Sequence, residues 1–156
     1  MAKDLLGKYL IRHIGGKVIA AKITETEAYC GTRDKACHAS KGLTERTKIM
    51  FGSPGHAYVY LIYGMYHCLN VVTEKEGYPA AVLIRGCELA NGPGKICREL
   101  KIDKKFNGID LCHNKGLWFE SVSRRRGDEI KNIKKGKRIG VDYAGKWKDR
   151  LWRFYL

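Results

Sequence analysis

The chain has 156 residues, 44% of them hydrophobic, and sets 30 Lys and Arg against 16 Asp and Glu, a formal net charge of +14. This length suits one domain, residues 1–156, with a core that needs no staples, and the apolar content excludes a disordered chain. The positive excess predicts attraction to a polyanion, nucleic acid first, with plain solubility as the alternative; no basic amphipathic helix stands out to suggest a membrane surface.

In chain order, a short amphipathic start covers Lys3 to Lys8 and a strand follows from Tyr9 to Ile14. Gly15-Gly16 is a hairpin signal, and Lys17 to Cys30 reads as the long return strand. If that strand has no bulge, Ile19, Ala21 and Ile23 share a face with Glu25, Glu27 and Tyr29. An apolar face then runs into two acids and a ring. An inward carboxylate must be paired, hydrogen-bonded or catalytic. Here it suggests a pocket that takes a flat ligand and activates something beside it, or a structural ion pair near a strand end.

Gly31 to Gly42 reads as a polar loop carrying His38, which is either solvated or set against a ligand ring. Thr44 to Phe51 is a possible short helix capped by Thr44. Next comes an aromatic hairpin, His56 to Tyr63 and Tyr66 to Val72, for which Gly64-Met65 fits a two-residue type II′ turn pairing Tyr63 with Tyr66. A large ring at such a tip suits a wedge that unstacks base pairs in a minor groove, with Met65 filling the same gap. It also suits an exposed turn aromatic or a dimer contact. Asn70, in an apolar strand, either reads a base edge or satisfies local backbone. Arg85 ends the apolar run Ala81-Val82-Leu83-Ile84. It needs an anionic partner, whether a phosphate, a polarised water, Glu25 or Glu27.

Gly92-Pro93-Gly94-Lys95 opens a short helix, Gly94 to Leu100. It is not a Walker A loop, since Leu89 and Ile96 stand where Gly and Ser/Thr belong. It could still set a helix end and Lys95 against a phosphate, or be an ordinary helix start. The rest is Leu117 to Val122, the basic residues Lys131, Lys134, Lys135, Lys137 and Arg138, then Ile139 to Val141 and Leu151 to Leu156. The basic run and the triplet Arg124-Arg125-Arg126 are solvated faces or backbone contacts. The pattern predicts an α+β fold: a mainly antiparallel curved sheet with short flanking helices and a protruding β-hairpin.

Cys30, Cys37, Cys68, Cys87, Cys97 and Cys112 form no C-x-x-C pair and no zinc-finger spacing with the histidines. No stretch reaches the roughly 18 apolar residues of a membrane span, and Met1 to Gly7 has no signal-peptide core. These features predict an intracellular, reduced protein without metal, disulfide or membrane.

Several stretches together resemble the alkyladenine (3-methylpurine) DNA glycosylase family. They are Thr26-Glu27-Ala28-Tyr29, the loop to His38, Tyr58-Val59-Tyr60, Ile62-Tyr63-Gly64-Met65-Tyr66 with Asn70, Val82-Leu83-Ile84-Arg85, Gly92-Pro93-Gly94-Lys95 and Arg153-Phe154-Tyr155. They occur in the family's order and span nearly the whole chain. The resemblance implies base-excision repair of damaged purines in double-stranded DNA by a monomer without a cofactor, in a nucleus or a prokaryotic nucleoid. It implies Glu27 as general base, Arg85 holding the attacking water, and Tyr29, His38 and Tyr60 around the flipped base. Asn70 would crowd the 2-amino group of guanine. Tyr63, with Met65 and Tyr66, would enter the minor groove, and Gly94 and Lys95 would meet the DNA backbone. No lysine falls at the nucleophile position, which implies a monofunctional enzyme. The chain departs from the family between Arg85 and Gly92, where relatives carry a longer helical insert. The competing readings are a non-catalytic nucleic-acid-binding module, which has no use for an inward Glu27, and a nuclease, for which no carboxylate cluster has metal-binding spacing.

Overall fold

The computed structural model describes residues 1–113, 116–121, 130 and 132–156. Strands β1 (Tyr9–Ile14) and β2 (Lys17–Cys30) form the predicted hairpin about Gly15 and Gly16. Both glycines have positive φ (55° and 77°), as a type I′ turn requires. Then come β3 (Ala57–Ile62), β4 (Tyr66–Thr73), β5 (Ala80–Cys87), β6 (Ala90–Asn91), α1 (Pro93–Glu99), β7 (Leu117–Glu120), β8 (Lys134–Gly136) and β9 (Arg153–Tyr155). They build one nine-stranded sheet in the order β3-β4-β5-β2-β1-β7, with β6 on β5 and β9 bridging β2 and β8. Every pairing is antiparallel. With α1 and several 3₁₀ turns the fold is α+β, as expected.

The centre of the sheet is buried on both faces, so β4 and β5 read as nearly continuous apolar runs. One face carries the main core, where Leu10, Ala21, Ile23, Leu69, Val82 and Ile84 pack with Ile96 of α1 and Leu100 at its C-terminal end. The other face carries a smaller cluster of Cys37, Ala39, Met50, Tyr58, Val72 and Ala81. This second face floors the cleft described below.

The alternation expected along β2 does not hold. Its register on β5 is irregular on both sides of Glu25, which pairs with Gly86. Ile23 and Ala28 consequently face the same core although they are an odd number apart, while Glu27 and Tyr29 turn to the opposite face. The bulge is what separates the acid from the apolar face that precedes it. Gly86 lets the chains approach here: a Cβ on it would lie 2.9 Å from Glu25 Cβ and 3.0 Å from Thr24 Oγ1.

The β3–β4 turn also differs from expectation. Ile62, not Tyr63, pairs with Tyr66. Tyr63 and Gly64 are the residues with positive φ (53° and 69°), and the Met65 N–H donates to Ile62 O. A primed turn suits the strand twist, so the tyrosine takes the left-handed position that glycine or asparagine usually fills. Lys3 to Gly7 forms turns, and of the possible short helix from Thr44 to Phe51 only Lys48–Phe51 forms, as a 3₁₀ turn, while Thr44 and Thr47 hold one another through reciprocal backbone-to-hydroxyl bonds. Val122, Arg124, Arg125, Arg126 and Lys131 lie outside the described residues.

Candidate active site

A cleft of about 650 Å³ opens beside the β3–β4 hairpin, a size suited to a small ligand. Tyr29, His38, Tyr60, Tyr63, Tyr66, Asn70, Arg85, Gly94 and Lys95 all line it. Four neighbouring strands (β3, β4, β5 and β2), the loop after β2 and the start of α1 thus bring together residues far apart in the chain. Among the described residues no Asp or Glu lines the cleft, whereas Arg85, Lys95 and Arg98 do.

Glu27 lies directly behind this lining and is fully buried. Its Oε2 accepts the Tyr29 hydroxyl at 2.8 Å and its Oε1 accepts the Ile139 N–H at 2.9 Å. Arg85 Nε stands 3.5 Å from Glu27 Oε1 and 3.1 Å from Glu25 Oε1, and Arg153 Nη1 is 3.1 Å from the same Glu25 oxygen. The acids and arginines left open by the sequence therefore pair with one another. Arg85 Nε is buried and makes no hydrogen bond among the described residues. Burial raises the Glu27 carboxyl above its ordinary range; the Ile139 N–H, the Arg85 charge and the Tyr29 hydroxyl pull it back. A buried carboxylate between such opposing effects holds its proton more tightly than one in water, while its hydrogen bonds and the nearby arginine favour the ionised form.

The aromatic wall is built from β2, β3 and the His38 loop. His38 Nδ1 lies 2.8 Å from the Tyr58 hydroxyl, and its ring meets Tyr60 edge-on at 4.6 Å. Burial, helped by the charges of Arg46 and Lys41, lowers the His38 pKa to about 4, so the ring is neutral at neutral pH. Burial likewise raises the Tyr29 and Tyr60 hydroxyls, which stay protonated. Asn70 is buried, with Nδ2 donating to Tyr58 O at 3.1 Å. The local backbone bond left open for it thus exists, and its side chain still faces the cleft. Tyr63 and Met65, 81% and 65% exposed, project at the hairpin tip, and Met65 alone of the predicted site side chains lies clear of the lining on the open side. A Cβ on Gly94 would come within 3.0 Å of Tyr66 Cβ, so the glycine lets α1 approach the hairpin.

Two contributors escape a reading of the sequence. The Ile139 N–H is a backbone group and leaves no trace in residue types. Arg138, read as part of a solvated basic run, is buried and paired with Asp34. The one available signal is that it is an arginine among lysines, followed by the apolar Ile139 and Val141. Lys134, Lys135 and Lys137 do face solvent.

A family model described as methylpurine-DNA glycosylase (MPG) matches residues 1–90 and 86–156. These matches, on a curved antiparallel sheet with a buried acid under an aromatic cleft, place the chain among the DNA glycosylases, hydrolases of base-excision repair. It belongs to the methylpurine-DNA glycosylase family. Relatives named as candidate 3-methyladenine DNA glycosylases include one from Methanocella arvoryzae, 51% identical over 175 aligned positions, covering 99% of this chain and 85% of the relative. Another, from Legionella pneumophila strain Lens, is 50% identical and covers 100% and 87%. A third, from Alkaliphilus oremlandii, is 45% identical and covers 100% and 89%. The 175 positions of the first alignment exceed this chain's 156 residues, so the relative carries residues absent here. The two family-model segments meet at residues 86–90, where Glu88-Leu89 makes a tight turn between β5 and β6.

Proposed function

We propose that the protein is a monofunctional, monomeric glycosylase that flips an alkylated or deaminated purine out of duplex DNA and hydrolyses its N-glycosidic bond. The substrates are of the 3-methyladenine, 7-methylguanine, hypoxanthine and etheno-adenine class. Tyr63, with Met65 and Tyr66, enters the minor groove and fills the gap the purine leaves. Lys95 and Gly94, at the start of α1, meet the DNA backbone. The purine stacks among Tyr29, His38 and Tyr60, and Asn70 crowds a 2-amino group.

The bond breaks with oxocarbenium character on the sugar. Glu27 takes a proton from the attacking water and offsets the developing positive charge, while Arg85 orients that water. An alkylated purine is cationic or readily protonated, so it leaves easily and stacks well on the rings. The enzyme works where nuclear or nucleoid DNA is found.

The observation that carries this reading is Glu27 itself, a buried carboxylate gripped by Tyr29 and the Ile139 N–H beneath an aromatic, positively lined cleft. A module that only binds DNA has no need of it. The test is single-turnover release of hypoxanthine or etheno-adenine from a labelled duplex, with alkaline cleavage at the abasic site. Wild type is expected to release base, and Glu27→Gln to bind the duplex without releasing it. Binding without release by the wild type on these lesions and on methylated DNA would point to the binding module instead.

A further inference from the structure

The Asp34–Arg138 pair has no part in the chemistry just described, yet it sits against it. Both side chains are fully buried. Arg138 Nη1 donates to Asp34 Oδ2 at 2.6 Å and Nη2 to Oδ1 at 2.9 Å, the bidentate geometry that only arginine provides. Its remaining Nη hydrogens go to Ala28 O at 3.0 Å and Trp147 O at 3.2 Å. The guanidinium covers the Tyr29 ring at 4.7 Å. Asp34 in turn accepts the Ala36 N–H at 3.1 Å, within the loop that carries His38.

One guanidinium thus ties together the His38 loop, the strand that bears Glu27 and Tyr29, and the segment leading into Ile139. The residue after Arg138 supplies the N–H on Glu27 Oε1. A buried ion pair seldom adds net stability over apolar residues of the same volume, so its value lies in geometry.

We propose that Asp34 and Arg138 are positioning residues for base excision: as a clamp they hold the Ile139 N–H on Glu27 and the Tyr29 ring against the cleft. The proposal rests on the reading of Glu27 as the general base. The charged and titratable groups facing Glu27 are Glu25 and Tyr29 on its own strand, Arg85 on β5, Cys68 on β4 and Arg138 itself. The Ile139 N–H favours the ionised form, so losing it moves the acid limb of the rate profile to higher pH. Asp34→Asn also removes a negative charge, and that effect alone would move the limb to lower pH. The two causes therefore differ in sign.

The experiment is single-turnover release of hypoxanthine across pH by the full chain as wild type, Asp34→Asn and Arg138→Lys, with thermal unfolding followed in parallel. Both variants are expected to excise roughly ten- to a hundredfold more slowly at neutral pH, with the acid limb displaced upward. If both are unfolded at the assay temperature, the double variant Asp34→Asn/Arg138→Met, which leaves no unpaired charge, carries the same expectation. A folded variant with the wild-type rate and an unmoved or lowered acid limb overturns the positioning role and leaves the glycosylase reading intact. A wild type that releases no base overturns both.

Discussion

Glu27 is held in a setting that favours its neutral form, and the cost falls on the fold. Its carboxyl is raised from the ordinary 4.5, with burial as the largest cause. A raised folded pKa contributes stability that is fully present below the unfolded pKa and lost as pH rises through the folded value. Wild type is therefore expected to lose stability relative to Glu27→Gln as pH climbs above the ordinary 4.5. Melting curves of the pair across that range check it; a difference that does not change with pH would sink the idea. The same residue then weakens the fold where it works, as active-site groups commonly do.

At the scale of elements, the hairpin and the bulge each carry a cost with a purpose. Tyr63 occupies left-handed backbone at φ 53° and exposes its ring. Glycine would relieve about 1–2 kcal/mol of that conformational cost. Tyr63→Gly is expected to be more stable by denaturant titration and slower at excising base. Wild-type excision by this variant would remove the wedge from the mechanism. The bulge at Glu25 depends on the absence of a side chain at Gly86. Gly86→Val places atoms on Glu25 and Thr24 and is expected to cost about 1–3 kcal/mol of stability. Because Glu25 pairs with Arg85 and Arg153, excision is expected to fall as well. Urea unfolding and the single-turnover rate together check this, and unchanged values in both would show that the bulge tolerates a side chain.

Over the whole molecule, a formal charge of +14 on 156 residues makes association with DNA an electrostatic event. Lys95 and Arg98 stand on the cleft side of α1 and Lys95 is exposed. The logarithm of the affinity is expected to fall linearly with the logarithm of salt, and Lys95→Ala to reduce that slope by about one. A titration at several salt concentrations measures both. Equal slopes for wild type and variant would take Lys95 off the DNA backbone. Among the described residues no helix is long and apolar enough to cross a membrane.

Residue types and their order determined much of this. The strands of the first hairpin, β3 to β5 and the short helix after Gly92-Pro93 were legible because local periodicity and turn chemistry act over a few residues, while Tyr29, His38 and Tyr60 stood out as cleft residues through ordered motifs that resemble a family. What the tertiary structure decided lies where distant segments meet. A bulge at Glu25 turned Glu27 away from the core, and alternation alone cannot show a phase change that Gly86, on another strand, makes possible. Whether Arg85 faced a phosphate or an acid depended on where β2 and β9 put Glu25, Glu27 and Arg153. Arg138 looked like one more solvated cation until Asp34, far back in the chain, met it in the interior. The N–H that holds Glu27 belongs to a backbone every residue shares, and only folding selects the one from Ile139.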